Sequence, residues 1–210
     1  MNRIIKIIVV VSVIIIGALD AMATEEVLYK VLKASGAFEI RSYAPSILAE
    51  TIVDGDLEGA GSKAFSILFR YISGANRSIS KLAITTPVTQ EADGEKIAMT
   101  APVVQQRAQE RWAVSFTMPA TYTLKSLPTP DNPKIILRQV PSRRMAAVRY
   151  SGLWSEKNYL QYKLELESWI RTMGLTITGD PVWARYNPPF TPWFMRRNEI
   201  LIPVGAGDDI

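Results

Sequence analysis

The sequence contains no histidine and no cysteine among its 210 residues. Without these side chains the chain cannot build a Ser-His-Asp triad, a cysteine nucleophile or a zinc site of the usual ligands. The missing cysteines also exclude disulfides, so a packed apolar core has to hold the fold. The side chains left for function are apolar groups, Arg and Lys, Tyr and the carboxylates.

The chain also lacks a large excess of charge of either sign. It carries 24 Lys and Arg against 20 Asp and Glu, a net charge of +4. A surplus this small, spread over the whole chain, gives no strong basic field. The composition therefore does not indicate a nucleic-acid partner.

The N-terminal residues have the pattern of a secretory signal peptide. Arg3 and Lys6 form a basic start, an apolar run follows over residues 7–16, and Ala21-Met-Ala23 matches an A-x-A cleavage site. The run is shorter than the roughly 20 apolar residues that cross a bilayer. This length favours cleavage over the alternative, an uncleaved membrane anchor.

We therefore expect residues 1–23 to be removed and residues 24–210 to form one exported domain, periplasmic or secreted. The absence of cysteine excludes a lipid anchor on that side chain. No membrane span is expected after cleavage.

The first of two amphipathic segments predicts a helix over residues 57–72. Asp54 or Asp56 can cap its start, and Gly74 stands where a left-handed residue ends a helix. Its apolar stripe consists of Leu57, Ala60, Ala64, Phe65, Leu68, Phe69 and Ile72.

The second segment predicts a helix over residues 156–172. Ser155 is its N-cap and Gly174 follows its end. One face carries the larger apolar side chains, Tyr159, Tyr162, Leu166, Trp169, Ile170 and Met173.

The rest of the chain has the alternation of β-strands, with prolines at the joints. The predicted strands cover residues 29–37, 38–43, 47–53, 82–89, 97–104, 112–118, 135–140, 145–150, 181–186 and 199–204. No low-complexity linker separates them, which indicates a single domain.

A nine-residue sequence occurs twice, as KLAITTPVT at 81–89 and KIAMTAPVV at 96–104. The turn signal at 91–94 between the copies predicts an antiparallel hairpin. Pro87 and Pro102 have no N–H to donate, so each strand is expected to be bent, bulged or at an edge there.

A second repeat has an offset of 96 or 97 residues. Arg41-Ser-Tyr-Ala-Pro45 is echoed by Arg138-Gln-Val-Pro141, and each is followed by an alternating strand, a glycine and a helix. The pattern predicts two strand–helix–strand halves related by an approximate two-fold. The alternative is two unrelated α+β units that share a proline.

Several stretches together form a recognisable set. They are the two repeat copies, WAVSFTMP at 112–119, RQVP at 138–141 and RYNPPFTPWFMRRNE at 185–199. This set resembles the SOUL heme-binding protein family, as an exported bacterial-type member, over nearly the whole mature chain.

The resemblance implies an α+β fold in which a distorted eight-stranded antiparallel barrel is flanked by two long helices, in two pseudo-symmetric halves. It also implies binding of heme or a related tetrapyrrole. Some members ligate the iron through histidine, and this sequence departs from them because it has none. The expected binding is therefore non-covalent and without His or Cys as axial ligand.

A tetrapyrrole needs a flat apolar wall and cations near its propionates. The first predicted helix offers both, so we predict binding residues Lys63, Ala64, Phe65, Leu68, Phe69 and Arg70. The alternative is that the apolar stripe packs on the sheet and that Arg70 is a solvated surface charge.

The Arg196–Arg197 pair is the second candidate, because guanidinium groups grip carboxylates such as propionates. Arg196 is therefore included among the predicted binding residues. In the alternative, one Arg points outward and the other ties the C-terminal strand through a carboxylate.

No metal ligand and no catalytic residue is assigned, although Met and Tyr are possible axial ligands. Two other functions stay open: a hydrolase that uses Tyr and Glu, and a sensor-like carrier of another amphipathic ligand. For the hydrolase, Glu165 and Glu167 on the second helix have ordinary partners in Lys163 and Arg171. We expect a monomer whose partner is a small-molecule tetrapyrrole.

The exported protein is expected to begin at Thr24, because signal peptidase cleaves after an A-x-A sequence. Intact-mass measurement and N-terminal sequencing of the protein recovered outside the cytoplasm check this. A chain that keeps Met1 and stays with the membrane fraction would contradict cleavage and favour the anchor.

Overall fold

The computed structural model describes residues 25–78 and 94–205. The predicted signal peptide and the first copy of the nine-residue repeat, at 81–89, lie outside the described residues.

Two α-helices have the bounds that the sequence predicts. Helix α1 spans Leu57–Ile72, and the Asp56 carboxylate accepts a hydrogen bond from a backbone N–H of its first turn. Helix α2 spans Glu156–Thr172, and the Ser155 hydroxyl caps it in the same way. Each helix ends two residues before a glycine with positive φ, Gly74 and Gly174.

The strands of the described residues follow in chain order. They are β1 Glu25–Glu26, β2 Tyr29–Ser35, β3 Phe38–Tyr43, β4 Ser46–Val53, β5 Asn76–Arg77, β6 Thr100–Ala101, β7 Val103–Ala108, β8 Arg111–Thr117, β9 Thr129–Pro130, β10 Ile135–Val140, β11 Arg143–Tyr150, β12 Val182–Arg185 and β13 Asn198–Pro203. A short 3-10 helix, Trp193–Met195, lies between β12 and β13.

Nine strands form one antiparallel sheet in the order β10-β4-β8-β7-β12-β13-β11-β3-β2, curled into a half-barrel. The first eight positions are symmetric. Strands β3, β4, β7 and β8 of the first half correspond to β10, β11, β12 and β13 of the second half. Replacing each strand by its counterpart gives the same order, read from the opposite end of the sheet. This palindrome confirms the two predicted halves.

The predicted α+β class with two helices is also confirmed, while the strand count is nine rather than eight. Eight strands belong to the symmetric set. The ninth, β2, is added at the edge beside β3 through a turn at Gly36, which has a φ of 60°.

The first strand of each half of the chain pairs with a strand of the other half. Strand β3 pairs with β11, and β10 pairs with β4. Each half therefore completes the sheet of its counterpart, and the two cannot separate without breaking strand pairs.

Both helices pack on one face of the sheet. Helix α1 lies on β4 and β8, and α2 lies on β11 and β13. The main core fills the space between these layers, with Leu68, Phe116, Leu166, Ile170 and Trp183 among its fully buried side chains. A smaller apolar cluster lies on the opposite face of the sheet, formed by Tyr43, Met145, Ala147, Val182, Ala184 and Leu201.

The second copy of the nine-residue repeat differs from its prediction as a strand over 97–104. Residues 94–99 form no strand, because the Ile97 N–H donates to the Ile72 carbonyl at the end of α1, at 2.8 Å. Strand pairing begins only at Thr100. It is interrupted at Pro102, as expected for a residue without a backbone donor.

Leu68→Ala is expected to lower the free energy of unfolding by about 2–5 kcal/mol, because Leu68 is fully buried and its removal leaves a cavity. The neighbouring Phe69→Ala, on the exposed side of α1, should cost about 1 kcal/mol or less. Urea unfolding followed by circular dichroism measures both. Equal losses for the two variants would contradict this assignment of helix faces.

Candidate ligand-binding groove

A groove runs along the C-terminal end of α1. Its volume is about 420 Å³, and it is lined by Phe69, Ile72, Ser73, Lys96, Ile97 and Met99. Ile72 and Ile97 are buried and form its floor, and the hydrogen bond between their backbones holds the two sides together.

The Phe69 ring forms one wall of this groove, and the Phe65 ring stacks on it. The rings of Phe65 and Phe69 lie 5.6 Å apart with an interplanar angle of 12°. Phe65 is anchored below by an edge contact with Phe116 in the core, at 5.4 Å. Phe69 is 46% exposed, so a partly buried ring supports a second ring that faces the solvent.

Two cations stand near the wall. Lys96 lines the groove, and Arg70 is exposed on α1 next to Phe69. Within residues 25–78 and 94–205 neither forms an ion pair with a carboxylate.

The structure divides the predicted binding residues into three groups. Of the first group, Phe69 lines the groove, Phe65 stacks on Phe69, and Arg70 is the next residue of α1, with its side chain exposed. Ala64 and Leu68 have no exposed surface and pack in the core, so they are not accessible to a ligand.

The two remaining predicted residues lie away from the groove. The Lys63 ammonium points toward the start of α1 and donates to the Asp54 carbonyl at 3.4 Å. Arg196 lies beyond β12, where its guanidinium stacks over Trp154 at 4.4 Å and donates to two backbone carbonyls.

Sequence reasoning missed the opposite side of the groove, which Lys96, Ile97 and Met99 provide. These residues belong to the second copy of the nine-residue repeat, which was interpreted as a strand. The repeat marked this segment as unusual in the sequence. Its contact with α1 forms only in the folded chain, so sequence periodicity could not predict it.

A second cavity, of about 400 Å³, lies at one end of the sheet between the segment around β1 and residues 117–124. Glu25 and Glu26 are among its lining residues, and no Lys or Arg of the described chain lines it. Its charge is therefore of the wrong sign for the propionates of a tetrapyrrole.

A buried carboxylate, Glu199, lies on the sheet face opposite the helices. It accepts hydrogen bonds from Arg41 at 2.6 and 3.2 Å, from Arg197 at 3.0 Å and from the Tyr186 hydroxyl at 2.8 Å. Burial favours the neutral acid, but the hydrogen bond and charge of Arg41, with the charge of Arg197, hold the pKa of Glu199 below its ordinary value.

This cluster does not have the properties of a general acid or base. Such a group needs a pKa near the working pH, whereas Glu199 stays ionised with its donors in place. Burial, with the nearby Glu199 charge, raises the pKa of Tyr186 above its ordinary value. The contacts of Arg197 with Glu199 show that one Arg of the Arg196–Arg197 pair ties the C-terminal strand through a carboxylate. This was the alternative to ligand binding for that pair.

The two carboxylates weighed for a hydrolase are also engaged on α2. Glu167 pairs with Lys163 at 3.2 Å, and Glu165 accepts a hydrogen bond from Gln161 at 3.0 Å. The described residues contain no group of three or more acidic side chains that could hold a metal ion. No helix among them is long and apolar enough to cross a membrane.

The fold defines an α+β protein built from two like halves, each a helix on an antiparallel sheet. The model of the SOUL heme-binding protein family matches residues 24–93 and 89–203. The chain therefore belongs to the SOUL heme-binding protein family, as the sequence motifs indicated. That family is described by its binding of heme. No curated protein matches the chain in sequence.

Solved structures share this fold at low identity. The C-terminal domain of EcmrR is 13% identical with a TM-score of 0.58, and the match covers 85% of this chain and 98% of that one. An uncharacterized conserved protein from Listeria innocua is 13% identical with a TM-score of 0.54, over 80% of this chain and 92% of that one. A hydrolase from Listeria innocua is 13% identical with a TM-score of 0.51, over 83% and 94%. At this identity the similarity shows the fold alone.

Glu199→Ala is expected to destabilise the protein by about 3–5 kcal/mol, because Arg41 and Arg197 lose the buried carboxylate they share and Arg41 is left with the partly exposed Glu39. The pH dependence has a definite sign. A carboxyl group with a lowered folded-state pKa stabilises the protein above its unfolded pKa, about 4.3, and loses this effect as the pH falls through the folded value.

Urea unfolding at a series of pH values from neutral to strongly acidic tests this prediction. The wild-type protein should lose stability on acidification more steeply than Glu199→Gln. Glu110→Gln, at an exposed carboxylate, is the control and should follow the wild type. Identical acid profiles for all three proteins would show that folding does not lower the pKa of Glu199.

Proposed function

We propose that this protein binds heme or a related tetrapyrrole non-covalently in the groove at the C-terminal end of α1. The observation that carries the proposal is the exposed face of Phe69, backed by Phe65, with Lys96 in the lining of the groove and Arg70 the next residue on α1. A porphyrin is a flat apolar disc with two carboxylates at its rim, and the groove offers a counterpart to each part. Membership of a heme-binding family supports the same ligand class.

The residues of the groove divide the work of binding between them. The Phe69 ring contacts the porphyrin face and excludes water from it, while Phe65 keeps that ring in place. Lys96 and Arg70 orient the ligand by drawing its propionates to one side. A bound heme would bring redox chemistry at its iron, and the protein residues named here set only its position and surroundings.

The iron requires no histidine or cysteine ligand in this proposal, since the sequence contains neither. Met99 is the one soft donor that lines the groove within the described residues. Thioethers occur as axial ligands, but the proposed affinity comes from the porphyrin face and the propionates. Replacing the Met99 sulfur therefore distinguishes affinity from an axial bond to iron from affinity for the porphyrin face and the propionates.

A one-sided groove predicts modest affinity. Burial of about 400 Å² of apolar surface contributes roughly 10 kcal/mol, and association costs about 4–15 kcal/mol. At the lowest association cost the difference is about 6 kcal/mol, which corresponds to a dissociation constant of tens of micromolar. Such a site suits a protein that takes up and releases its ligand.

Phe69→Glu is expected to weaken hemin binding at least about tenfold, because it places a carboxylate where the porphyrin face would lie and removes about 1.4 kcal/mol or more of apolar contact. Titration with hemin followed at the Soret band measures the affinity. Leu160→Glu is the matched control, since it places the same charge at an apolar position of α2 that is 45% exposed, and it should bind like the wild type.

Three results would contradict the proposal. They are a non-saturable Soret change in the wild type, equal binding by Phe69→Glu, and an equal loss in Leu160→Glu. Met99→Leu should leave both affinity and spectrum unchanged, because no axial bond is invoked. A loss of affinity in that variant would place the iron on Met99 instead.

The alternatives are an amphipathic-ligand carrier and a Tyr- and Glu-dependent hydrolase on the same fold. The carrier predicts that another flat amphipathic acid competes with hemin at lower concentration than hemin itself binds. The hydrolase predicts turnover of an ester or epoxide that Tyr or Glu substitutions abolish. We propose that the protein acts outside the cytoplasm, in agreement with the signal-peptide pattern of residues 1–23.

A further inference from the structure

A cluster of exposed apolar side chains lies on the loop between β12 and β13. Phe190 is 84% exposed, Trp193 57%, Phe194 61% and Met195 64%. Leu153 is also exposed and adjoins them, because the Gly152 N–H donates to the Trp193 carbonyl at 3.1 Å. Contiguous apolar surface of this kind marks a contact site in soluble proteins.

Several contacts hold the backbone of this loop in place, whereas its apolar side chains are exposed. Pro188, Pro189 and Pro192 restrict its φ angles, and residues 193–195 form a 3-10 helix. The Arg196 guanidinium donates to the carbonyls of Pro189 and Thr191, both at 2.7 Å, and ties the two ends of the loop together. The aromatic rings are therefore displayed outward by a fixed support.

The loop is also positively charged. Residues 187–196 contain no acidic side chain, and they end at Arg196. In the described part of the chain the hydrogen-bond partners of Arg196 are neutral carbonyls, and its guanidinium stacks on Trp154. Its charge therefore stands beside the apolar cluster without a carboxylate to neutralise it.

We propose that the loop of residues 188–195 is an interfacial anchor that inserts its aromatic side chains into the surface of a lipid bilayer. Trp and Phe are the side chains that settle at the boundary between headgroups and acyl chains. Arg196 at the base of the loop complements the phosphates of anionic headgroups.

The high exposure of these four side chains favours a deformable partner. Four bulky side chains that project from a rigid loop need a surface that can open around them, and acyl chains provide one without a preformed pocket. This surface uses none of the residues of the α1 groove. Membrane binding by this loop can therefore be tested independently of tetrapyrrole binding.

The test uses protein comprising residues 24–210, which keeps every described residue and omits the apolar run 7–16 that would itself enter a bilayer. Circular dichroism first establishes that this protein is folded. Vesicles of phosphatidylethanolamine and phosphatidylglycerol are the probe, with phosphatidylcholine vesicles for comparison. Flotation measures partitioning, and quenching of tryptophan emission by brominated lipid measures insertion.

The double variant Phe190→Ser/Phe194→Ser is expected to weaken partitioning roughly 100-fold, since each aromatic side chain contributes roughly tenfold. The matched control is Leu164→Ser/Ile136→Ser. It removes two apolar side chains that are 60% and 55% exposed elsewhere, on α2 and β10, and should partition like the wild type. Partitioning should be stronger with phosphatidylglycerol and should fall with added salt.

Lipid quenching keeps the proposal testable if the double variant unfolds. Trp193 is the most exposed of the five tryptophans, so Trp193→Phe should abolish most of the quenching while vesicle binding persists. The proposal is overturned if the wild type does not bind vesicles, or if the double variant binds them equally. It is also overturned if the loop instead mediates self-association in the absence of lipid, which sedimentation at several concentrations detects.

Discussion

The two halves of this protein are held together because each lends its first strand to the other. Strand β3 completes the sheet of the second half, and β10 completes that of the first. An ion pair inside the sheet locks one of these exchanges, since Arg41 on β3 binds Glu199 on β13 at 2.6 Å with both side chains buried. The position of each helix on its own half follows from this arrangement.

The two-fold symmetry is broken where the groove lies. Phe69 and Trp169 occupy corresponding places, each five residues before the glycine that follows its helix. The Trp169 ring is covered by Phe38, at 5.3 Å in a stacked arrangement. Phe69 stacks on Phe65 and is 46% exposed. The two halves thus differ in how far they bury this aromatic side chain.

Local sequence predicted the features that local physics sets. The caps Asp56 and Ser155 and the glycines that follow the helices define both helix ends, and the long repeat indicated the two halves. The groove could not be predicted from local sequence, because the contact between Ile97 and Ile72 forms only in the folded chain. Alternation suggested a strand at 97–104, but a hydrogen bond to the end of α1 took precedence over it. Helical periodicity likewise could not separate Leu68 in the core from Phe69 at the surface.

Strand β2 is the end of the sheet, and almost all of its residues are exposed. An open edge of this kind is a template on which another chain can add a strand. Lys30 and Lys33 stand along it, and the pairing with β3 shifts register between Val31 and Lys33. Charge and irregularity at such an edge discourage fibre growth, so these two lysines protect the protein when many copies are crowded together.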